Sequence, residues 1–150
     1  MKVYFVDDIF VIHYYEKKIE EIKKETIEHI IKPILLKIKK IYNIKFEGYY
    51  IVNVYLDSYY GIVFEIIKED LDYFFNDTVE MQINIMEDHG FLYQIEEIPS
   101  FKGNIYEKDG KLYFELKEKL NFIEYGKLLE ISTIVYDEEV IEIKKNKILR

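Results

Sequence analysis

The sequence contains no cysteine, no tryptophan and no alanine, and its only arginine is Arg150. Without cysteine, the chain forms no disulfide, no iron–sulfur cluster, no cysteine-based zinc site and no thiolate nucleophile. Arginine supplies the planar fork that binds phosphate or guanine through two hydrogen bonds, and lysine does not replace it. The missing residue types therefore exclude thiol chemistry and disfavour sequence-specific recognition of nucleic acid.

Large apolar and aromatic residues take the place of the missing small ones. Hydrophobic residues make up 49% of the 150-residue chain, which includes 15 tyrosines and 10 phenylalanines. This content is too high for a disordered chain, and the length predicts one domain over residues 1–150. The most frequent residues, such as Ile, Lys, Tyr and Asn, have codons rich in A and T. The usage is typical of a bacterial or phage genome with a strong AT bias.

The net charge of −8 is concentrated in the middle of the sequence. Residues 1–50 carry ten lysines and eight acids, and residues 101–150 carry ten basic and ten acidic residues. Residues 51–100 carry 11 acids and a single lysine, Lys68. A field of this sign repels nucleic acid and anionic lipid, and it attracts basic proteins. We therefore expect a basic protein partner, no direct nucleic-acid binding and no membrane.

The hydrophobic runs are too short for a signal-peptide core or a membrane span. Asp7 and Asp8 follow only four apolar residues near the N-terminus. The longest uncharged stretch, Gly48–Leu56, has nine residues, whereas about 20 are needed to cross a bilayer. These features favour a cytoplasmic protein.

A change of hydrophobic period separates the first strands from a helical segment. Residues 2–15 predict either a short hairpin that turns at Asp7 and Asp8 or one bent strand. Residues 16–42 have apolar residues at helical spacing, and Pro33 either kinks one helix or starts a second. The residues that we expect to face inward are Ile19, Ile22, Ile30, Ile34, Leu35, Ile38, Ile41 and Tyr42.

The rest of the sequence is dominated by strands. We expect strands at 45–56, 61–68, 79–85, 91–98, 104–107, 111–117 and 131–136, and helices at 119–130 and 138–147. Asp109-Gly110 is the strongest turn signal, and Asp137 is the expected cap of the last helix. The order predicts an α+β fold, with an antiparallel β-meander sheet of about six to eight strands packed against a kinked helix pair (16–42) and a helical C-terminal tail. A helix-grip-like curved sheet is the alternative.

No sequence motif for a known chemistry is complete. There is no phosphate loop, and none of the three serines lies in a Gly-x-Ser-x-Gly elbow. The acidic run from Asp70 fails as a calcium loop, because Phe75 replaces the required glycine and Met81 the final glutamate. The three histidines are too scattered for a His-based metal site. We therefore assign no catalytic residue and expect no metal and no cofactor.

Tyrosines accompany the acids of the middle third in segments that should connect strands. Tyrosine is a preferred anchor at protein interfaces because it buries a large area at low entropic cost. We therefore predict a non-catalytic interaction protein, of the inhibitor, immunity or adaptor type, that uses a surface within residues 57–97 to bind a basic macromolecular partner. The predicted partner-binding residues are Asp57, Tyr59, Tyr60, Glu69, Asp70, Asp72 and Asp77.

A second interpretation places the function inside the fold. A cavity between the helix pair and the sheet would bind a small ligand or hold an enzyme's active site. His13, Tyr15 and His29 would be the polar groups of this cavity. This interpretation needs the three side chains to converge on one enclosed space, whereas the first needs acids on an open surface.

Overall fold

A computed structural model of the chain shows two compact units. The structure describes residues 1–6, 9–15, 23–43, 48–57, 61–69, 79–146 and 148–149. Unit 1 comprises Met1–Val54 and Ile62–Met86, and unit 2 comprises Tyr55–Gly61 and Glu87–Arg150. The α+β class is confirmed, but the nine strands in the described residues form two sheets of five and four strands rather than one meander.

The first sheet has five strands in the order β1-β2-β4-β3-β5. Their bounds are Lys2–Val6 (β1), Ile9–Tyr14 (β2), Gly48–Leu56 (β3), Ile62–Glu69 (β4) and Val79–Ile85 (β5). β2 pairs with both β1 and β4 in the antiparallel sense, although a meander would place β2 beside its sequence neighbour β3. However, β3 and β5 are parallel, with Gly48 aligned to Val79, so both strands start at the same end of the sheet. A strict meander has no such pair, because each of its strands lies beside its sequence neighbour.

The two faces of the β3–β5 pair differ in chemistry. On one face, Tyr50, Val52 and Ile83 are buried. The other face carries a row of hydrogen bonds of 3.2 Å each, from Tyr49 Oη to Gln82 Oε1, Gln82 Nε2 to Asn84 Oδ1, Asn84 Nδ2 to Asn53 Oδ1, and Asn53 Nδ2 to Glu65 Oε1. The alternation of apolar and polar residues in β5 predicted this division, and the row adds side-chain bonds to the backbone pairing of three strands.

One helix, α1 (Lys24–Tyr42), continues through Pro33, so Pro33 does not start a second helix, and the described residues of the segment 16–42 contain one helix rather than a pair. Proline lacks the N–H that would bond the carbonyl of His29. Because both residues are exposed, water can solvate that carbonyl. The buried stripe of α1 consists of Ile27, Ile31, Ile34, Leu35 and Ile38.

The last turn of α1 departs from the predicted orientation. Ile41 and Tyr42, which were expected to face inward, are 60% and 54% exposed. Helical spacing tells which residues share a face, but burial also requires a packed layer beneath that face. Of the other residues expected inward, Ile34, Leu35 and Ile38 are buried, Ile30 is half-buried, and Ile19 and Ile22 lie outside the described residues.

The second sheet belongs to unit 2 and has the strand order β7-β8-β6-β9, with all three pairs antiparallel. Its strands are Leu92–Ile95 (β6), Gly103–Lys108 (β7), Lys111–Leu116 (β8) and Ser132–Val135 (β9). The helices of this unit are Phe122–Glu130 (α2) and Glu139–Lys144 (α3). These bounds confirm the predicted order of elements, with each helix shorter than expected.

Helices α2 and α3 pack on opposite faces of the second sheet. Tyr93 of β6 contacts Tyr125 of α2, with their hydroxyl oxygens 2.7 Å apart. Its strand neighbour Leu92 packs with Val140 and Ile143 of α3. Because successive residues of a strand point to opposite faces, the two helices enclose the sheet between them.

Two glycines fix the β7–β8 hairpin. Asp109 (φ 53°) and Gly110 (φ 78°) form the predicted two-residue turn, which requires positive φ at both positions. At the other end of the hairpin, a Cβ on Gly103 would lie 2.3 Å from the carbonyl oxygen of Glu115 and 2.3 Å from the Phe114 ring. Only glycine allows this approach of β7 to β8 without a shift of the backbone.

Candidate functional site

The structure describes two of the seven residues predicted to bind a partner. Asp57 directly follows β3, and Glu69 is the last residue of β4. The other five, Tyr59, Tyr60, Asp70, Asp72 and Asp77, lie outside the described residues. The surface predicted from them therefore stays a prediction.

Asp57 takes part in a turn of unit 2. Its Oδ1 accepts a hydrogen bond of 3.3 Å from the backbone N–H of Phe91, and its own N–H donates to the Gly61 carbonyl at 3.3 Å. Asp57 is half-buried, and Phe91 is buried. Since a buried N–H without an acceptor is costly, the Asp57 carboxylate has a structural role in this turn.

Three glutamates line an open pocket at one end of the second sheet. At this end, the last residue of β6, Ile95, pairs with the first residue of β9, Ser132. Glu96 and Glu97 continue from β6, and Glu130 is the last residue of α2. The pocket has a volume of about 380 Å³ and is lined by Gln94, Ile95, Glu96, Glu97, Glu130, Ile131, Ser132 and Thr133. We call it the acidic pocket.

The carboxylates of the acidic pocket are exposed and lack a neutralising base. No lysine is among the residues that line it. Within the described part of the chain, Glu96, Glu97 and Glu130 form no ion pair and no side-chain hydrogen bond. Like charges that share a small volume repel each other, and a bound cation removes that repulsion. The pocket is therefore suited to a positively charged group.

The lining residues offer charge and hydrogen bonds but no pair of nucleophile and base. The hydroxyl of Ser132 donates to the Leu128 carbonyl at 2.6 Å, and no histidine lines the pocket. The described residues also contain no group of three or more His, Asp or Glu side chains that could hold a metal ion. The described lining of the acidic pocket therefore consists of carboxylates and neutral hydrogen-bonding groups.

Glu115 on β8 is a nearly buried acid with several partners, in contrast to the pocket glutamates. Its Oε1 accepts hydrogen bonds from Asn104 Nδ2 at 3.1 Å, Tyr106 Oη at 3.2 Å and Lys117 Nζ at 3.2 Å. Its Oε2 lies 2.6 Å from Lys144 Nζ on α3. Burial raises the pKa of the Glu115 carboxyl, but the bonds from Lys144, Asn104 and Lys117 outweigh burial, so the pKa lies below its ordinary value. The ionised carboxylate joins α3 to the sheet.

The three polar residues of the alternative interpretation have different environments. His13 on β2 is fully buried, and its ring centroid lies 5.3 Å from that of Tyr15. His29 is exposed on α1. The two histidines differ in exposure, and a single enclosed site for both stays a prediction.

Comparisons with known proteins add no relative from which a role could be transferred. No protein-family model, no curated protein and no solved structure matches the chain. Among the helices in the described ranges, none is long and apolar enough to cross a membrane.

Proposed function

We propose that the chain is a non-catalytic interaction protein that binds a basic macromolecular partner, and that its acidic pocket receives lysine or arginine side chains of that partner. The proposal is carried by the position of Glu96, Glu97 and Glu130 around one open pocket that has no base in its lining. Ammonium and guanidinium groups carry several N–H donors, which match carboxylate acceptors in charge and geometry.

The attraction between the acidic pocket and a cation increases when a partner covers the pocket, because the local dielectric constant falls. Two opposite unit charges 4 Å apart attract by about 1 kcal/mol in bulk water and by about 4 kcal/mol near a protein surface. When a partner covers the pocket, the attraction energy between the carboxylate and the cation moves toward the larger value. The amide of Gln94 and the hydroxyl of Thr133 provide neutral hydrogen bonds that orient the entering side chain.

The acidic middle third supplies the rest of the proposed surface. We assign Tyr59 and Tyr60 the part of desolvated anchor, because large rings that leave water contribute most to interface affinity. We assign the acids at 57, 69, 70, 72 and 77 the part of steering charges, which raise the association rate and lose this effect at high salt.

The test is a selection of peptides from a random library on the immobilised full-length chain at low salt. We expect the enriched peptides to be rich in Lys and Arg and to bind more weakly as salt increases. Their affinity is then measured on two double variants of equal net charge. Glu96→Gln with Glu130→Gln removes pocket charges, whereas Glu107→Gln with Glu138→Gln removes exposed charges of the same unit outside the pocket.

The pocket variant should lower the affinity about tenfold or more, because two charge-assisted contacts are lost, and the control should change it little. Circular dichroism confirms that both variants remain folded. A selection that enriches no class of basic peptides, or equal losses of basic-peptide affinity in the two variants, would overturn the proposal.

A further inference from the structure

The solvent side of α1 differs from the rest of this acidic protein in charge. Residues 32–43 contain four lysines and no acid. Lys37, Lys39 and Lys40 are exposed, and within the described residues no carboxylate pairs with them. Lys32 is paired with Glu28 at 2.8 Å. The second half of the helix is therefore a positive surface on a chain of net charge −8.

A leucine lies in the middle of this positive surface. Leu36 is 60% exposed. Residues three and four apart are neighbours on a helix, so Lys32, Pro33, Lys39 and Lys40 surround Leu36. All four are exposed. We call these five residues the basic face of α1, and it combines one apolar centre with a cationic rim.

This arrangement has the anatomy of a small protein interface. Interfaces commonly have an apolar centre that leaves water on binding and a polar rim that sets partner choice. Burial of a leucine side chain on binding removes apolar surface from water and so stabilises a complex. The complementary occupant has apolar side chains over Leu36 and Pro33 and carboxylates opposite the lysines.

Other anionic occupants fit the basic face less well. Helices that lie in a bilayer surface insert a broad apolar face, but the broad apolar face of α1, which includes Ile31, Leu35 and Ile38, is buried within the protein. A nucleic-acid backbone offers no apolar group that could pack on Leu36. This helix also has no arginine, the residue that binds phosphate through two hydrogen bonds.

We propose that the basic face of α1 docks an acidic, amphipathic segment of a second protein partner. The basic face of α1 belongs to unit 1 and the acidic pocket to unit 2, so the chain then has two binding sites for partners of opposite charge. The proposal adds a binding site to the proposed function, and it can fail while the acidic pocket still binds basic peptides.

The test uses the same random peptide library on the full-length chain, with the enriched peptides sorted by sequence. We expect a second class of peptides, rich in Asp and Glu and containing Leu, Ile or Phe. Their affinity should fall about tenfold with Lys39→Gln/Lys40→Gln, because two rim charges are lost, and also with Leu36→Ala, because the apolar centre is lost.

Matched controls separate the basic face from general effects of charge and hydrophobicity. Lys119→Gln/Lys127→Gln removes two exposed lysines of unit 2, and Ile123→Ala truncates an apolar side chain that is 68% exposed. Neither control should change the affinity of the acidic peptides. Only Lys39→Gln/Lys40→Gln should reduce the dependence of binding on salt, since Leu36→Ala leaves the charges in place.

Three results would overturn the proposal. The first is a selection that yields no acidic class, and the second is an acidic class that binds the basic-face variants as tightly as the unchanged chain. The third is co-sedimentation with phosphatidylglycerol vesicles, or binding to duplex DNA, that is lost with Lys39→Gln/Lys40→Gln, because the occupant would then be a lipid surface or a nucleic acid.

Discussion

Replacing Glu115 by glutamine removes a charge that several side chains share, while it keeps the size of the side chain. The Oε1 atom of glutamine still accepts hydrogen bonds from Asn104 and Tyr106. The amide nitrogen takes the position of Oε2, which lies 2.6 Å from Lys144 Nζ, so that two donors face each other. The substitution therefore breaks the link between β8 and α3 without opening a cavity.

The size of the effect follows from the exposure of the two lysines. A hydrogen bond to a charged group contributes about 1.5–3 kcal/mol. Lys144 is 36% exposed and recovers part of this from water, so we expect a loss near the lower end, about 1.5 kcal/mol. Lys117 is 55% exposed, and its pair with Glu115 adds no more than about 0.5 kcal/mol. Glu115→Gln should thus lower the free energy of unfolding by about 2 kcal/mol at neutral pH.

The pH dependence of the stability difference shows whether the charge of Glu115 causes that difference. The pKa of Glu115 in the folded chain lies below its ordinary value, so its contribution is full above the unfolded pKa and is lost as pH falls through the folded pKa. Urea unfolding, followed by circular dichroism from neutral to acidic pH, should show the unchanged chain and Glu115→Gln converging in stability. The reasoning is refuted if the difference between them stays constant down to the lowest pH.

A double-mutant cycle tests the Glu115–Lys144 pair itself. Lys144→Met keeps an apolar stem on α3 and removes the charge. The coupling energy between Glu115→Gln and Lys144→Met should be about 1 kcal/mol or more at neutral pH. Glu142→Gln is the control, because Glu142 is exposed and pairs with Lys145 rather than with Lys144. A coupling near zero would assign the stability of this region to packing alone.

Three further substitutions test the fold, and one tests the predicted partner surface. Gly103→Ala should lower the free energy of unfolding by about 2–3 kcal/mol in urea, because the added methyl group meets a backbone carbonyl; an unchanged midpoint would contradict the close approach of β7 to β8. Asn121→Ala should cost about 1 kcal/mol in the same assay by removing the capping box of α2, and a neutral effect would show that this cap is dispensable. Burial, with a nearby carboxylate, raises the pKa of Tyr4 to about 12, so stability should fall above pH of about 10, where tyrosine in the unfolded chain ionises first. Tyr4→Phe should flatten this fall, and an ultraviolet titration should lose one tyrosinate step near pH of about 12; an unchanged titration would contradict the raised pKa. Tyr59→Ala with Tyr60→Ala should mainly speed the dissociation of a selected basic peptide, and an unchanged dissociation rate would remove the anchor from the proposal.

Elements with local signals could be predicted from the sequence. The turn at Asp109-Gly110 needs positive φ at two successive residues, which few dipeptides adopt, and its strands lie where they were predicted. The alternation in β5 likewise predicts both its bounds and its polar face. In each case the residues that fix the structure are neighbours in sequence.

Features that join distant segments could not be predicted in this way. The parallel pairing of β3 with β5 leaves no mark on the period of either strand, because parallel and antiparallel neighbours impose the same alternation. Glu130 joins Glu96 and Glu97 only through the antiparallel pairing of β6 with β9. The exposed end of α1 depends on which layer lies beneath it, and helical spacing contains no information on that layer.

The division of the chain into units has a consequence for its synthesis on the ribosome. Tyr55–Gly61 groups with Glu87–Arg150, although Ile62–Met86, which belongs to unit 1, separates them in sequence. All residues of unit 1 have been synthesised once Met86 has been added. The first segment of unit 2, Tyr55–Gly61, is synthesised before that point, but its second segment, Glu87–Arg150, is synthesised only afterwards. Nascent chains that are released early therefore hold a complete unit 1 together with an unmatched fragment of unit 2, and they are the species for which a chaperone is most needed.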